Sequence, residues 1–399
     1  MPNTTLNPLS CIASPIALNA ALLGNTAKSL TPPVFTGLTG LFAAKTALSY
    51  PLDAVGSRIE RFALQSVARS CLGSKHRTAA CLRNRIAGAS TVAVKYSKLR
   101  ARASYGNLQT CGSVWACPIC ASKVSEHRRA ELVALTDAHK QTGGVALLAT
   151  RTFPHHANQS LETLLSALSV AENKYKQGNP WRKLVARFGL VGTVRTIECT
   201  YGANGWHPHI HEILLLKAPL TPDNHAALQT ALYLRWVSAA TRAGLPTPST
   251  THGLDLRDGT HAAKYVSKWG IEAELTKWHL KRGKNQSLTP FDFLRIALDG
   301  SEASLSARSL YIEYATAFSG RRQLVYSPGL RNLYLTTPEQ TDEEAAAGTD
   351  DGAAILANLN QTEWKHILRH GLRGELLEAV NAANGSETAI PAFLNEHLG

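Results

Sequence analysis

Three histidines alternate in the run His207-Pro208-His209-Ile210-His211, and the apolar residues that follow keep the same beat through Leu216. A period of two belongs to an extended strand, whose successive side chains point to opposite faces. His207, His209 and His211 therefore share a face with Ile213 and Leu215, while Ile210, Leu214 and Leu216 point the other way. Upstream, residues 190–200 alternate as well, with Val191, Val194 and Ile197 set among polar residues. Asn204-Gly205 between the two runs is a strong hairpin signal. With these two as the loop, Glu198 stands opposite His211 and Thr200 opposite His209. Directly opposed Cβ atoms lie about 4.5–5.5 Å apart, within reach of one ion.

Neutral imidazole is a common ligand of divalent metals. Glu198, His209 and His211 are thus expected to hold one ion, with coordination positions left open to substrate. A one-residue bulge would break this register and make His207 the better third ligand. Two histidines and a carboxylate suit Mg2+ or Mn2+ acting on a phosphate. The plainer alternative, a row of solvated histidines, suits a lone histidine better than three in alternation with a facing glutamate.

Around this hairpin the pattern predicts a strand over 145–152, a helix through Leu161, Leu164, Leu165 and Leu168, and a helix over 222–242. A short strand over 253–256 and a helix over 260–278 follow. Strand, helix, strand, strand, helix, strand, helix is the order of an α+β fold, a central antiparallel sheet flanked by helices. Further strands and helices are expected at 91–96, 123–140 and 363–381, the last using Trp364, Ile367, Leu368, Leu376 and Leu377. The chain divides on this reading into a loosely ordered leader (1–65), a basic zinc-bearing module (66–140), a central domain (141–335) and an acidic tail (336–399).

Charge points to the partner. The chain carries a net +13, yet residues 335–399 hold 3 basic and 11 acidic side chains, leaving 39 and 18 in the rest. A body this basic suggests a polyanion, most often nucleic acid. No apolar run reaches the ~18 residues of a membrane span, so no membrane role and a cytoplasmic location are expected. Arg128, Arg129, Arg321, Arg322 and Arg331 are candidate phosphate contacts.

Seven cysteines are present, three of them clustered as Cys111, Cys117 and Cys120. In a cytoplasmic chain the Cys117-Pro118-Ile119-Cys120 knuckle favours structural zinc over disulfides. Zinc needs a fourth ligand. His127 lies about 10 Å along a helix from Cys120, too far for one ion. Cys81 is the better choice, with Cys71 and His76 as runners-up.

Downstream, Lys264-Tyr265-Val266-Ser267-Lys268 falls in the helix over 260–278. There His261, Tyr265 and Lys268 share a face. A phenol with a pKa near ~10 needs help to act as a nucleophile, and Lys268 together with a metal-bound phosphate would supply it. Tyr311 and Tyr314 are better read as packing, which leaves one nucleophilic tyrosine.

The chain resembles the rolling-circle replication initiators of small plasmids, within the HUH endonucleases. The resemblance runs from about Cys81 to Leu335 and rests on CGSVWACPIC (111–120), TIECTYGANGWHPHIHEILL (196–215), AAKYVSKW (262–269), TPFDFLRIA (289–297) and SGRRQLVYSPGLR (319–331). It implies a metal-dependent nuclease on a sheet of ferredoxin-like topology. By position it makes His209 and His211 metal ligands, Glu198 the third, Tyr265 the nucleophile, and Lys264 and Lys268 its basic flank. The tyrosine would cut one strand at the plasmid origin, in single-stranded or cruciform form, and join the 5′ phosphate. The freed 3′ hydroxyl would prime synthesis by host helicase and polymerase. Many relatives place a glutamate where this chain has His261, so His261, Asp258 or Glu272 is expected to activate water at termination. Competing readings are a transposase or mobilisation relaxase of the same chemistry, for which a second tyrosine is lacking, and a catalytically inactive zinc-bearing DNA-binding protein.

Overall fold

The computed structural model describes residue 41 and residues 54–258, 287–348 and 352–398. Eight strands are defined among these: β1 (Val92–Ser97), β2 (Arg102–Gly106), β3 (Val145–Arg151), β4 (Leu190–Gly202), β5 (Gly205–Leu216), β6 (Leu254–Asp258), β7 (Val325–Tyr326) and β8 (Ala354–Leu359). They form a three-stranded sheet in the order β2-β1-β8 and a five-stranded sheet in the order β6-β3-β5-β4-β7. Every neighbouring pair is antiparallel. The α+β expectation is met.

The larger sheet is sandwiched, as its alternation requires. Leu147, Ala149, Ile210 and Leu214 face the helices Leu161–Tyr175 and Pro222–Arg242, which contribute Leu164, Leu168 and Trp236. Trp236 donates its indole N–H to the Thr152 carbonyl at 2.7 Å, satisfying a polar atom that burial would otherwise strand. On the opposite face Ala146, Leu148, Val194, Ile213 and Leu215 meet Leu132 and Leu135 of the helix Pro118–Gln141. His139 of that helix fixes the arrangement, with one ring nitrogen 3.0 Å from the Leu216 carbonyl and the other 2.7 Å from the Tyr334 hydroxyl.

A buried ionic cluster sits under the first face. Arg151 lies between Glu172 (2.6 Å) and Glu212 (2.9 Å), with its guanidinium 4.0 Å from the Tyr175 ring centre. Lys176 also pairs with Glu212, and Arg195 with Glu172 at 3.0 Å. Charges this deep are tolerated because each is paired.

Four sequence expectations need correction. The leader does not run to residue 65: Ala54–Leu72 is a helix that buries Phe62, Leu64, Val67 and Ala68, and its Glu60 pairs with Arg295 at 2.6 Å. The expected tail is not an appendage, because β8 completes the small sheet by pairing with β1. Residues 363–381 are two helices, Gln361–His370 and Arg373–Ala382, separated where Gly371 takes a left-handed φ of +76°. The hairpin loop is Ala203-Asn204, because Gly202 pairs with Gly205. Gly205 has φ +81° while neither loop residue is left-handed, so Gly205 serves as the bulge residue after the turn and not as part of it. A Cβ at Gly205 would come within 2.9 Å of the Ala157 Cα.

Candidate functional site

The loop correction slides the hairpin register by two residues. Glu198 stands opposite His209, Thr200 opposite His207, and Thr196 opposite His211. An even slip preserves the face, so the carboxylate still meets the imidazoles. Glu198 Oε2 lies 3.1 Å from His211 Nε2 and 3.8 Å from His209 Nε2. One donor atom from each of Glu198, His209 and His211 falls within 4.8 Å of the others. His207 is outside this trio. Its ring stacks on His155, centroids 4.7 Å apart, and continues a row through His209 and His211 at 5.1 and 4.8 Å.

Burial holds two of the imidazoles in the neutral state. Burial pushes the His209 imidazole down to about 3 despite Glu198, and burial with the neighbouring His155 pushes His207 to about 4. Both rings are therefore neutral at pH 7, with a nitrogen lone pair to offer. Orientation comes from the other ring nitrogens. His211 Nδ1 is 3.1 Å from Thr150 Oγ1 on β3, and His209 Nδ1 is 3.3 Å from the His207 carbonyl. Each contact leaves Nε2 aimed at Glu198. Thr196 Oγ1, buried opposite His211, has no hydrogen-bond partner among the described residues.

Thr150, Thr196 and His155 were not identified from the sequence. Thr150 and Thr196 each stand directly opposite His211, but the register expected from an Asn204-Gly205 loop put Glu198 there and so hid Thr196. For His155, in a loop, no pattern existed to find. Tyr265, Lys268, His261 and Lys264 lie outside the described residues, as does Glu272.

The second cluster gathers Cys81, Cys111, Cys117 and Cys120, all buried, with their sulfurs within 4.8 Å of one another. Cys81–Cys120, Cys111–Cys120 and Cys81–Cys117 are 3.4, 3.6 and 3.6 Å apart, and none is disulfide-bonded. A tetrahedral ion with metal–sulfur bonds of ~2.3 Å would have sulfur–sulfur edges near ~3.8 Å, so the cage fits zinc. The β1–β2 hairpin lies between Cys81 and Cys111 and returns the chain to close it. Hydrogen bonds from Cys117, Cys120 and Cys81 pull the Cys111 thiol far down, while burial pushes Cys117 up. His127 instead sits 3.6 Å from Glu131.

The arginines separate into two kinds. Arg331, expected at DNA, is 7% exposed and held by Glu131 at 2.7 Å and the Thr337 carbonyl at 2.6 Å. Arg128 is likewise buried, bonded to Glu131 at 2.9 Å and to Asp342 at 3.1 Å. Both are internal braces. Arg129 pairs with Glu126 at 2.6 Å. Arg321 is half-buried on the Ala317 carbonyl and Ser169, while Arg322 is exposed. Tyr311 and Tyr314 are buried, Tyr311 donating to the Ala116 carbonyl at 2.6 Å.

Comparison with known proteins shows what the chain is similar to. Residues 105–242, which span the cysteine knuckle and the histidine hairpin, match a family model described as replication protein. A protein named Protein rep from Streptomyces lividans is 28% identical over 361 residues, 73% of this chain and 79% of its own length. A neomycin resistance protein from Streptomyces cyanogenus is 33% identical over 134 residues, 27% of this chain, which spans 31% of that protein. No solved structure matches. These matches bear out the resemblance to plasmid replication initiators that the motifs carried.

Proposed function

We propose that this replication protein initiates rolling-circle synthesis by cutting and rejoining one DNA strand at a plasmid origin. The observation that carries this reading is the convergence of Glu198 Oε2 with the Nε2 atoms of His209 and His211, two oriented imidazoles beside a carboxylate. Such a donor set fits Mg2+ or Mn2+, and that ion would neutralise charge on a scissile phosphate. Support for a ferredoxin-like sheet comes from β3, helices, β4, β5, helix, β6 in chain order, arranged as β6-β3-β5-β4 in space.

In the proposed reaction the Tyr265 phenolic oxygen attacks the phosphorus. A bond forms between that oxygen and the 5′ phosphate, and the bond from phosphorus to the 3′ oxygen breaks. The phenol gives up its proton, with Lys268 favouring the phenolate. The departing 3′ oxygen gains a proton and becomes the primer end for host helicase and polymerase. One phosphodiester replaces another, so rejoining needs no nucleotide cofactor. Lys264, Arg321 and Arg322 would hold the strand, and His261 would serve as base at termination. The four thiols would hold a structural Zn2+ that ties residues 81–120 together.

The test is a labelled single-stranded oligonucleotide from the replicon's own origin, incubated with Mn2+. Cleavage with a covalent protein–5′ adduct is expected, lost in Tyr265→Phe and in His209→Ala while DNA binding survives. Continued cutting by Tyr265→Phe, or undiminished activity in EDTA, would refute the reading.

A further inference from the structure

The longest acid-free stretch of the chain surrounds a feature that the proposed reaction does not use. From residue 61 to residue 125 there are 11 Lys or Arg side chains and no Asp or Glu. Within it, Lys98, Arg100 and Arg102 fall at the turn of the β1–β2 hairpin. At the tip, Lys98, Leu99, Arg100 and Arg102 are exposed, and Leu99 is 87% exposed, more than any other large apolar side chain described.

This tip is built to be held out. The Arg100 N–H reaches Ser97 Oγ at 3.3 Å, and the Ala101 N–H reaches the Lys98 carbonyl at 3.3 Å. Ala101 accepts a left-handed φ of +46° to close the turn, a conformation that disfavours a side chain. Below the tip the hairpin is pinned. The Ala103 N–H bonds Asn381 Oδ1 at 2.6 Å, the Tyr105 hydroxyl donates to the Arg373 carbonyl at 2.9 Å, and the Tyr105 ring packs edge-on to Trp364. Arg58 and Arg61 lie close enough to Arg102 to feel its charge, and burial with that repulsion holds Arg61 down to about 10.

We propose that the β1–β2 tip is a duplex-DNA wedge, its cations gripping phosphates on either side of a groove while Leu99 enters a base step and unstacks it. Apolar wedges flanked by basic residues act this way in the minor groove. The inference rests on the replication reading and deepens it, because a nicking site for single strands needs a means of opening the duplex. An exposed leucine among cations could also meet an anionic membrane, but the acid-free module and the match to replication proteins favour DNA.

The test uses full-length protein and a short A·T-rich duplex carrying a fluorescent purine analogue. Lys98→Gln, Arg100→Gln and Arg102→Gln combined should weaken duplex binding roughly tenfold and lower the slope of log K against log salt by about 3. Leu99→Ser should keep the salt slope and lose the fluorescence rise that reports unstacking. All these side chains are exposed, and an unchanged thermal midpoint confirms that folding is intact. Wild-type slope and fluorescence in both variants would overturn the proposal. So would variants that lose binding to phosphatidylglycerol vesicles alone. Cutting of an origin single strand should be normal in both variants. If wild-type protein fails to cut while the tip effects persist, the nicking reading falls and the wedge stands.

Discussion

Thr150 Oγ1 on β3 lies 3.1 Å from His211 Nδ1 on β5, directly across the strand pair. That contact fixes which nitrogen His211 can offer a metal, since the ring turned on its other edge would face Glu198 with the wrong atom. Partners of this kind are typically worth 10–100-fold in metal affinity. Thr150→Val should therefore weaken Mn2+ binding by roughly tenfold or more, and Thr150→Ser should restore it. Calorimetric titration with Mn2+ checks this, and equal affinities for all three proteins would remove Thr150 from the site.

The ionic cluster under the other face should set the acid limit of stability. Burial alone would raise the Glu212 carboxyl, but Lys176 and Arg151 outweigh it and hold the group at about 2. A carboxyl held below its unfolded value of about 4.3 stabilises the fold above that pH, and the stabilisation is lost as pH falls toward 2. Urea midpoints measured between these limits should drop steeply for wild type and less for Glu212→Gln. At pH 7 the same substitution should cost about 3 kcal/mol, because it leaves part of a buried cation cluster unpaired.

Among the cysteines, the cage predicts a sharp division. Replacing Cys81, Cys111, Cys117 or Cys120 by serine should each abolish one equivalent of zinc and lower the thermal midpoint. Cys71→Ser and Cys199→Ser should keep the zinc. Elemental analysis of the purified variants decides the point, and full zinc content in Cys81→Ser would break the four-thiol assignment.

Deleting residues 352–399 should be far from neutral. It removes β8 from the edge of β1 and strips away Trp364, Ile367, Leu376, Leu377 and Val380, all buried. It also removes Arg373, whose guanidinium donates to the Leu82 carbonyl at 3.1 Å and to Gln65 Oε1 at 2.8 Å. Arg373→Ala alone should cost about 3 kcal/mol, since those acceptors are buried with it. Limited proteolysis should show Ala54–Leu72 newly cleavable in the truncated protein.

Period and spacing carried most of the candidate site. Alternation placed the histidines on one face, and the knuckle spacing with an intervening strand pair led to Cys81. The cues that failed were local ones with two meanings. Asn204-Gly205 reads as a two-residue turn, yet the same glycine can serve as the left-handed residue after a turn one place earlier. Gly371 inside an amphipathic run was passed over because the apolar stripe continues across it. Residues 336–399 looked separable because they are acidic, but β8 is held by backbone pairing, which composition does not report. Arg331 shows the converse limit: an arginine's sequence neighbours cannot tell a phosphate contact from a brace on Glu131.

The Gly202–Gly205 turn imposes a rule of parity on any change in its length. Adding or removing two residues slides β4 along β5 and keeps every donor on its own side of the sheet. Adding one sends Glu198 through to the side of Ile210, and the imidazoles lose their carboxylate with no ligand having been mutated. Loop-length variants of this turn should therefore bind metal or fail to bind it according to whether the change is even or odd.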